Sequence, residues 1–154
     1  MTYKNLIART RIARQIICPT LSLISVIAAV PAHAQDKTVT TRDGSCSATV
    51  PASWVVGSFP GSAGSPDKKS SIIISSPRYS SFATLKDNAR KVYANDKVTK
   101  DSATEFEMEG KSMDNKPNVY RGIPAGAKFC IGEVTYESGT ANDARKILST
   151  LKAK

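Results

Sequence analysis

Lys128-Phe129-Cys130-Ile131-Gly132-Glu133-Val134-Thr135-Tyr136-Glu137, then Ser138-Gly139, then TANDARKILSTLK from Thr140 to Lys152, is the stretch that decides the fold. Residues of a strand alternate between faces. Cys130, Val134 and Tyr136 therefore share one face, and Phe129 and Ile131 the other. Apolar residues on both faces predict a sheet covered on both sides. Ser138-Gly139 predicts a turn into a helix. Thr140, with Asp143 three residues on, has the form of a capping box with Asp in place of Glu. Ala144, Ile147, Leu148 and Leu151 then make an i, i+3, i+4, i+7 stripe. Lys152 and Lys154 suit the negative end of that helix.

Working outward, Asn118–Ile123 predicts another strand, broken by Pro124 and Gly126. Lys97–Glu109 predicts one long strand, in which Glu105, Glu107 and Glu109 point one way and Phe106 and Met108 the other. A helix is expected from about Phe82 to Ala94, with Phe82, Leu85, Ala89, Val92 and Tyr93 near one face and Ser80 or Ser81 as N-cap. Ser71–Ser75, with three consecutive isoleucines, predicts a strand buried on both faces. Gly57–Lys69 has the Gly/Ser/Pro composition of a mobile loop. Before it come Trp54-Val55-Val56 in extended form, Pro51 as a stop, and a strand at Ser45–Val50. Gln35–Asp43 is expected to be a flexible lead-in or an edge strand. Strands, helix, strands, helix, joined by short turns, predict an α+β domain with a mostly antiparallel sheet and helices on its faces.

Residues 1–34 carry the marks of a cleaved secretory signal peptide. Lys4, Arg9, Arg11 and Arg14 precede an apolar run from Ile16 to Val30. Ala32-His33-Ala34 supplies the small residues of a cleavage site, placing the cut after Ala34. The run is shorter than the roughly 20 apolar residues a spanning helix needs. A mature domain at 44–154, not transmembrane and periplasmic or secreted, is expected. Four of the 22 Lys+Arg leave with this segment, so 18 face 13 Asp+Glu, a balance of +5. The only histidine, His33, leaves too. Mild positive charge outside the cytoplasm favours cell-envelope polymers or proteins as partners rather than nucleic acid.

Cys18 lies in the signal segment, so the mature chain keeps Cys46 and Cys130. In an oxidising compartment they can form a single intramolecular disulfide. A redox role is disfavoured, because there is no C-x-x-C spacing and no histidine to lower a thiol pKa.

An early strand ending in Pro51-Ala52-Ser53-Trp54, a helix after a Ser-Ser turn, a strand with Phe106 and Met108 inward and a closing strand–helix pair resemble the PsbP-like family over residues 44–152. The resemblance implies an α/β/α sandwich around an antiparallel sheet. It also implies a mostly non-enzymatic role, since members include photosystem assembly subunits, small-GTPase-binding proteins and exported bacterial proteins. It carries no set of functional residues onto this chain.

Without a mature histidine, the Ser-His-Asp and Cys-His systems and histidine zinc sites are excluded in their usual forms. S-x-x-K occurs at Ser65–Lys68 and Ser149–Lys152, in neither case at the start of a helix, where serine and lysine would meet one turn apart. Glu105, Glu107 and Glu109 could hold a hard cation. Strand spacing sets them nearly 7 Å apart, which favours instead a charged face paired with Arg121 or Lys128. Trp54 is expected in the core. Tyr79 and Arg78, before the first helix, and Phe59 and Lys68, in the Gly57–Lys69 loop, are the expected partner contacts. These observations predict a small exported non-enzymatic binding or assembly module with no cofactor. The alternative is a small exported enzyme, or an inhibitor of a cell-wall or extracellular hydrolase.

Overall fold

The computed structural model describes residues 35–137 and 139–154. Residues 1–34, expected to be a signal peptide cleaved after Ala34, lie outside the described residues. Strands β1 (Lys37–Thr40), β2 (Cys46–Val50), β3 (Val55–Val56), β4 (Ser62–Gly64) and β5 (Ser70–Ser75) come first. Helix α1 (Phe82–Val92) follows, then β6 (Lys97–Asp101), β7 (Phe106–Lys111), β8 (Pro117–Ala125) and β9 (Lys128–Tyr136), α2 (Ala141–Leu148) and β10 (Lys152–Ala153). Seven strands form one sheet in the order β3-β4-β5-β9-β8-β7-β6, and β1-β2-β10 form a second. Every strand pairing is antiparallel. The domain is α+β with a mostly antiparallel sheet and two helices.

Alternation along β9 and its neighbours separates two apolar clusters. Cys130 and Val134 of β9, Val119 of β8 and Ile72 and Ile74 of β5 join Ala144 and Leu148 of α2, and Val39, Ala48 and Val50 of the small sheet, in one cluster. Trp54 is buried in it. Phe129 of β9, Tyr120 of β8, and Phe106 and Met108 of β7 join Leu85 and Ala89 of α1 in the other. Helix α2 starts at the capping box, where the Thr140 side chain accepts from the Asp143 N–H and Asp143 accepts from the Thr140 N–H. Ser81 caps α1 by accepting from the Thr84 N–H. The Cys46–Cys130 disulfide joins β2 to β9.

Several expectations are corrected. Of the two expectations for residues 35–43, a flexible lead-in or an edge strand, the edge strand is found: Lys37–Thr40 pairs with β2, and Lys37 Nζ donates to Trp54 O at 2.7 Å. Gly57–Lys69 is not an open loop, since β4 pairs with both β3 and β5. Its small residues lack any β-branched signal, so only the pairing reveals it. Lys97–Glu109 is a hairpin rather than one strand. The Ser102 hydroxyl accepts from the Glu105 N–H at 2.9 Å, and the Ser102 N–H donates to Glu105 O, which turns the chain. Strand β8 continues through Pro124, opposite Phe129, whose N–H goes to Pro77 O instead. Lys152 lies beyond α2 in β10, paired with Ser47. Strand β5 is buried on one face only: Ile72 and Ile74 are core, while Ile73 is 62% exposed.

Candidate functional site

The exposure of Ile73 follows from where α1 lies. Gly122 on β8 has no side chain, and Leu85 of α1 approaches so closely that a Cβ there would meet its Cδ2 at 3.1 Å. Phe82 stacks on Phe129 of β9 at 5.8 Å between ring centroids. The helix is thus seated over β8 and β9, and β5 is left uncovered on that face. Register pairs Ser71 with Thr135, Ile73 with Glu133 and Ser75 with Ile131. Because partners across a pair share a face, these residues make a floor.

Two adjoining depressions form an open groove on this floor. One, of about 370 Å³, runs from Ser71, Ile73, Glu133 and Thr135 to Tyr93 and the β7–β8 turn at Ser112-Met113-Asp114. The other, of about 260 Å³, shares Ile73, Tyr93 and Glu133 and continues to Tyr79, Asn88, Val92 and Ile131. Val92 is 63% and Met113 92% exposed, so the rim carries exposed apolar side chains.

Glu133 sits at the centre. Its Oε2 accepts from the Tyr93 hydroxyl at 2.9 Å and its Oε1 from Asn118 Nδ2 at 2.8 Å. Burial, then the charge of Glu133, push the Tyr93 hydroxyl well above its ordinary pKa, so it stays protonated and donates. Asn118 is fully buried, and its Oδ1 has no partner among the described residues. The arrangement holds a carboxylate in one orientation beside exposed apolar side chains, as a recognition site does.

The carboxylates of the Glu105/Glu107/Glu109 row are already matched. Arg145 Nε donates to Glu107 Oε1 at 2.8 Å, and Arg145 also meets Glu109. Arg121 Nε and Lys100 Nζ each lie 2.9 Å from Glu105. The Glu105/Glu107/Glu109 face thus meets cations of the protein itself. Arg121 takes the expected part, but Lys128 does not: it pairs with Asp43 at 2.6 Å. No cluster of three metal-ligating side chains occurs among the described residues. A further depression of about 350 Å³ is lined by Asp43. There the hydrogen bond from Lys128, then those from Ser45 and Thr41, hold the carboxyl far below its usual range.

The four expected contact residues do not form one surface. Tyr79 lines the groove and packs on Phe129. Arg78 is exposed on the same link. Phe59, 77% exposed, precedes β4, and Lys68 follows it, so they stand at opposite ends of that strand. Neither S-x-x-K serine turns to its lysine: Ser65 Oγ donates to Asp67, and Ser149 Oγ to Lys146 O. The sequence reasoning missed Glu133. Its signal was visible as a lone carboxylate on the Phe129/Ile131 face of the best strand.

Similarity to solved structures is confined to the fold. The solution structure of cyanobacterial PsbP from Synechocystis sp. PCC 6803 matches at a TM-score of 0.51 and 9% identity, over 79% of this chain and 94% of that one. The fold is PsbP-like. A crystal structure of a protein from Bacteroides thetaiotaomicron VPI-5482 matches at a TM-score of 0.49 and 16% identity. The match covers 78% of this chain and 49% of that one, so the chain spans about half its length. No protein-family model matches the chain. No curated protein matches it either.

Proposed function

We propose that the chain is a small exported, non-enzymatic binding or assembly module that engages a protein or cell-envelope component through the groove around Glu133. The observation that carries this reading is the uncovered sheet face, where exposed Ile73 lies opposite a carboxylate held by Tyr93 and Asn118. An isolated surface isoleucine needs no explanation, but an apolar rim around an oriented charge fits recognition. The buried Cys46–Cys130 disulfide fits an oxidising compartment and hence export. Among the described residues no helix is long and apolar enough to cross a membrane. We read α1 on one face, and α2 with the small sheet on the other, as the outer layers of an α/β/α sandwich. Cleavage after Ala34 belongs to the same reading, and the exported protein should begin at Gln35 by N-terminal sequencing.

Affinity capture from the exported fraction tests the module and the groove together. The wild-type domain should retain a specific partner, Ile73→Asp should release it, and Phe59→Ser should keep it. Undiminished retention by Ile73→Asp overturns the assignment of the groove.

A further inference from the structure

Glu133 differs from every other glutamate in the chain. Glu105, Glu107, Glu109 and Glu137 each meet a Lys or Arg side chain. Glu133 meets none among the described residues; its partners are a phenol and an amide. A carboxylate accepts about four hydrogen bonds, so two from Tyr93 and Asn118 leave acceptor capacity on both oxygens. The groove walls add a second carboxylate, Asp114, and contribute no Lys or Arg. This is an anionic groove in a domain whose basic residues outnumber its acidic ones by 18 to 13.

Glu133 is half-buried and meets no Lys or Arg side chain among the described residues, so an incoming cation would recover solvation that this carboxylate has lost. The apolar rim cannot be satisfied by a bare cation; it calls for hydrocarbon beside the charge. Resting on the reading of the groove as a docking site, we propose that its occupant is an extended peptide segment of a partner protein. The segment places a Lys or Arg side chain on Glu133 and a neighbouring apolar side chain against Ile73 and Met113. Arginine fits best, because its planar fork offers several donors to a carboxylate already fixed in orientation.

Fluorescence polarisation with dye-labelled short peptides alternating leucine with arginine, citrulline or glutamate tests the charge requirement. The arginine peptide should bind at least about tenfold more tightly than the citrulline peptide, and Glu133→Gln should remove that advantage. Glu137→Gln makes the same charge change outside the groove and should leave it intact. Equal binding of the arginine and citrulline peptides, or equal loss in Glu133→Gln and Glu137→Gln, overturns the proposal. Ile73→Asp separates the two levels. If it abolishes binding of a citrulline peptide that binds as well as the arginine one, the groove docks peptides but not cations. If it changes no peptide's binding, the groove reading itself fails. Displacement of the arginine peptide by an equal concentration of spermidine would overturn the peptide in favour of a free amine. Circular dichroism melting of each variant confirms folding, and the exposed site of Ile73 keeps the test usable if Glu133→Gln unfolds.

Discussion

Arg145 Nε on α2 donates to Glu107 Oε1 on β7 at 2.8 Å, and the carboxylate it meets is only 2% exposed. Thr99 adds a hydrogen bond to the same oxygen at 2.7 Å. The second helix is thus tied to the far half of the large sheet by a charged contact as well as by its apolar stripe. Removing one partner of a buried pair strands the other in a medium of low polarisability. Arg145→Ala should destabilise the domain by about 2–4 kcal/mol, the lower end reflecting the partial exposure of the guanidinium. Denaturant unfolding checks this, and a change under about 0.5 kcal/mol would show the pair to be ornamental.

The same carboxyl sets a pH dependence. Burial pushes the Glu107 pKa up, but the hydrogen bonds from Arg145 and Thr99 and the charge of Lys100 outweigh it, and the net shift is downward from 4.5. A folded-state pKa below the unfolded one means stability that is present above the unfolded value and lost as pH falls through the folded one. The stability difference between the wild type and Glu107→Gln should therefore hold at neutral pH and shrink as pH drops below about 4.5. A difference independent of pH between neutrality and acid unfolding would contradict it.

The disulfide closes a separation of 84 residues and ties the small sheet to the large one. The double variant Cys46→Ser/Cys130→Ser should lose about 2–5 kcal/mol. Unfolding midpoints of the wild type with and without reductant should bracket the same loss. Intact mass should rise by about 2 Da on reduction, one hydrogen per thiol.

Neighbouring isoleucines of β5 should respond in opposite ways. Ile72 is fully buried and Ile73 mostly exposed. Ile72→Ala should cost about 2–5 kcal/mol, and Ile73→Ala less than about 0.5 kcal/mol. Equal costs would mean that the face carrying Ile73 is covered after all.

Two glycines with positive φ should also differ. Gly126 has φ 65° and open space where a Cβ would go, so Gly126→Ala should cost only the backbone strain of about 1–2 kcal/mol. Gly61 has φ 84°, and a Cβ there would lie 2.6 Å from the Ile74 carbonyl oxygen. Backbone cannot swing aside like a side chain, so Gly61→Ala should cost distinctly more. Melting temperatures of the two variants rank them directly.

Legibility in the sequence follows the range of the cause. The Thr140–Asp143 box, the Ala144/Ile147/Leu148 part of the α2 stripe, the two-faced pattern of β9 and the helix around Leu85 and Ala89 depend on neighbours one to four residues away and could be read, whereas Leu151, expected to continue the stripe, is buried beyond the end of the helix. The pairing of β4 could not, because Ser62-Ala63-Gly64 becomes a strand only by lying between β3 and β5. The Ser102 turn was hidden inside a run that alternates well, since a hydroxyl bonding to nearby N–H groups leaves the alternation on either side intact.

The chain alone determined an α+β domain, the pair of cysteines left to bridge once residues 1–34 are set aside, and carboxylates in rows. Which carboxylates are neutralised was decided by the tertiary structure: Arg145 reaches Glu107 and Glu109 across a separation in sequence that no spacing rule spans. So was the groove. Ile73 and Glu133 become neighbours through a β5–β9 register, and they stay uncovered because α1 is seated over Gly122 and Phe129 instead. Local pattern states which side chains are apolar, but how far a distant helix extends across the sheet decides which of them water still meets.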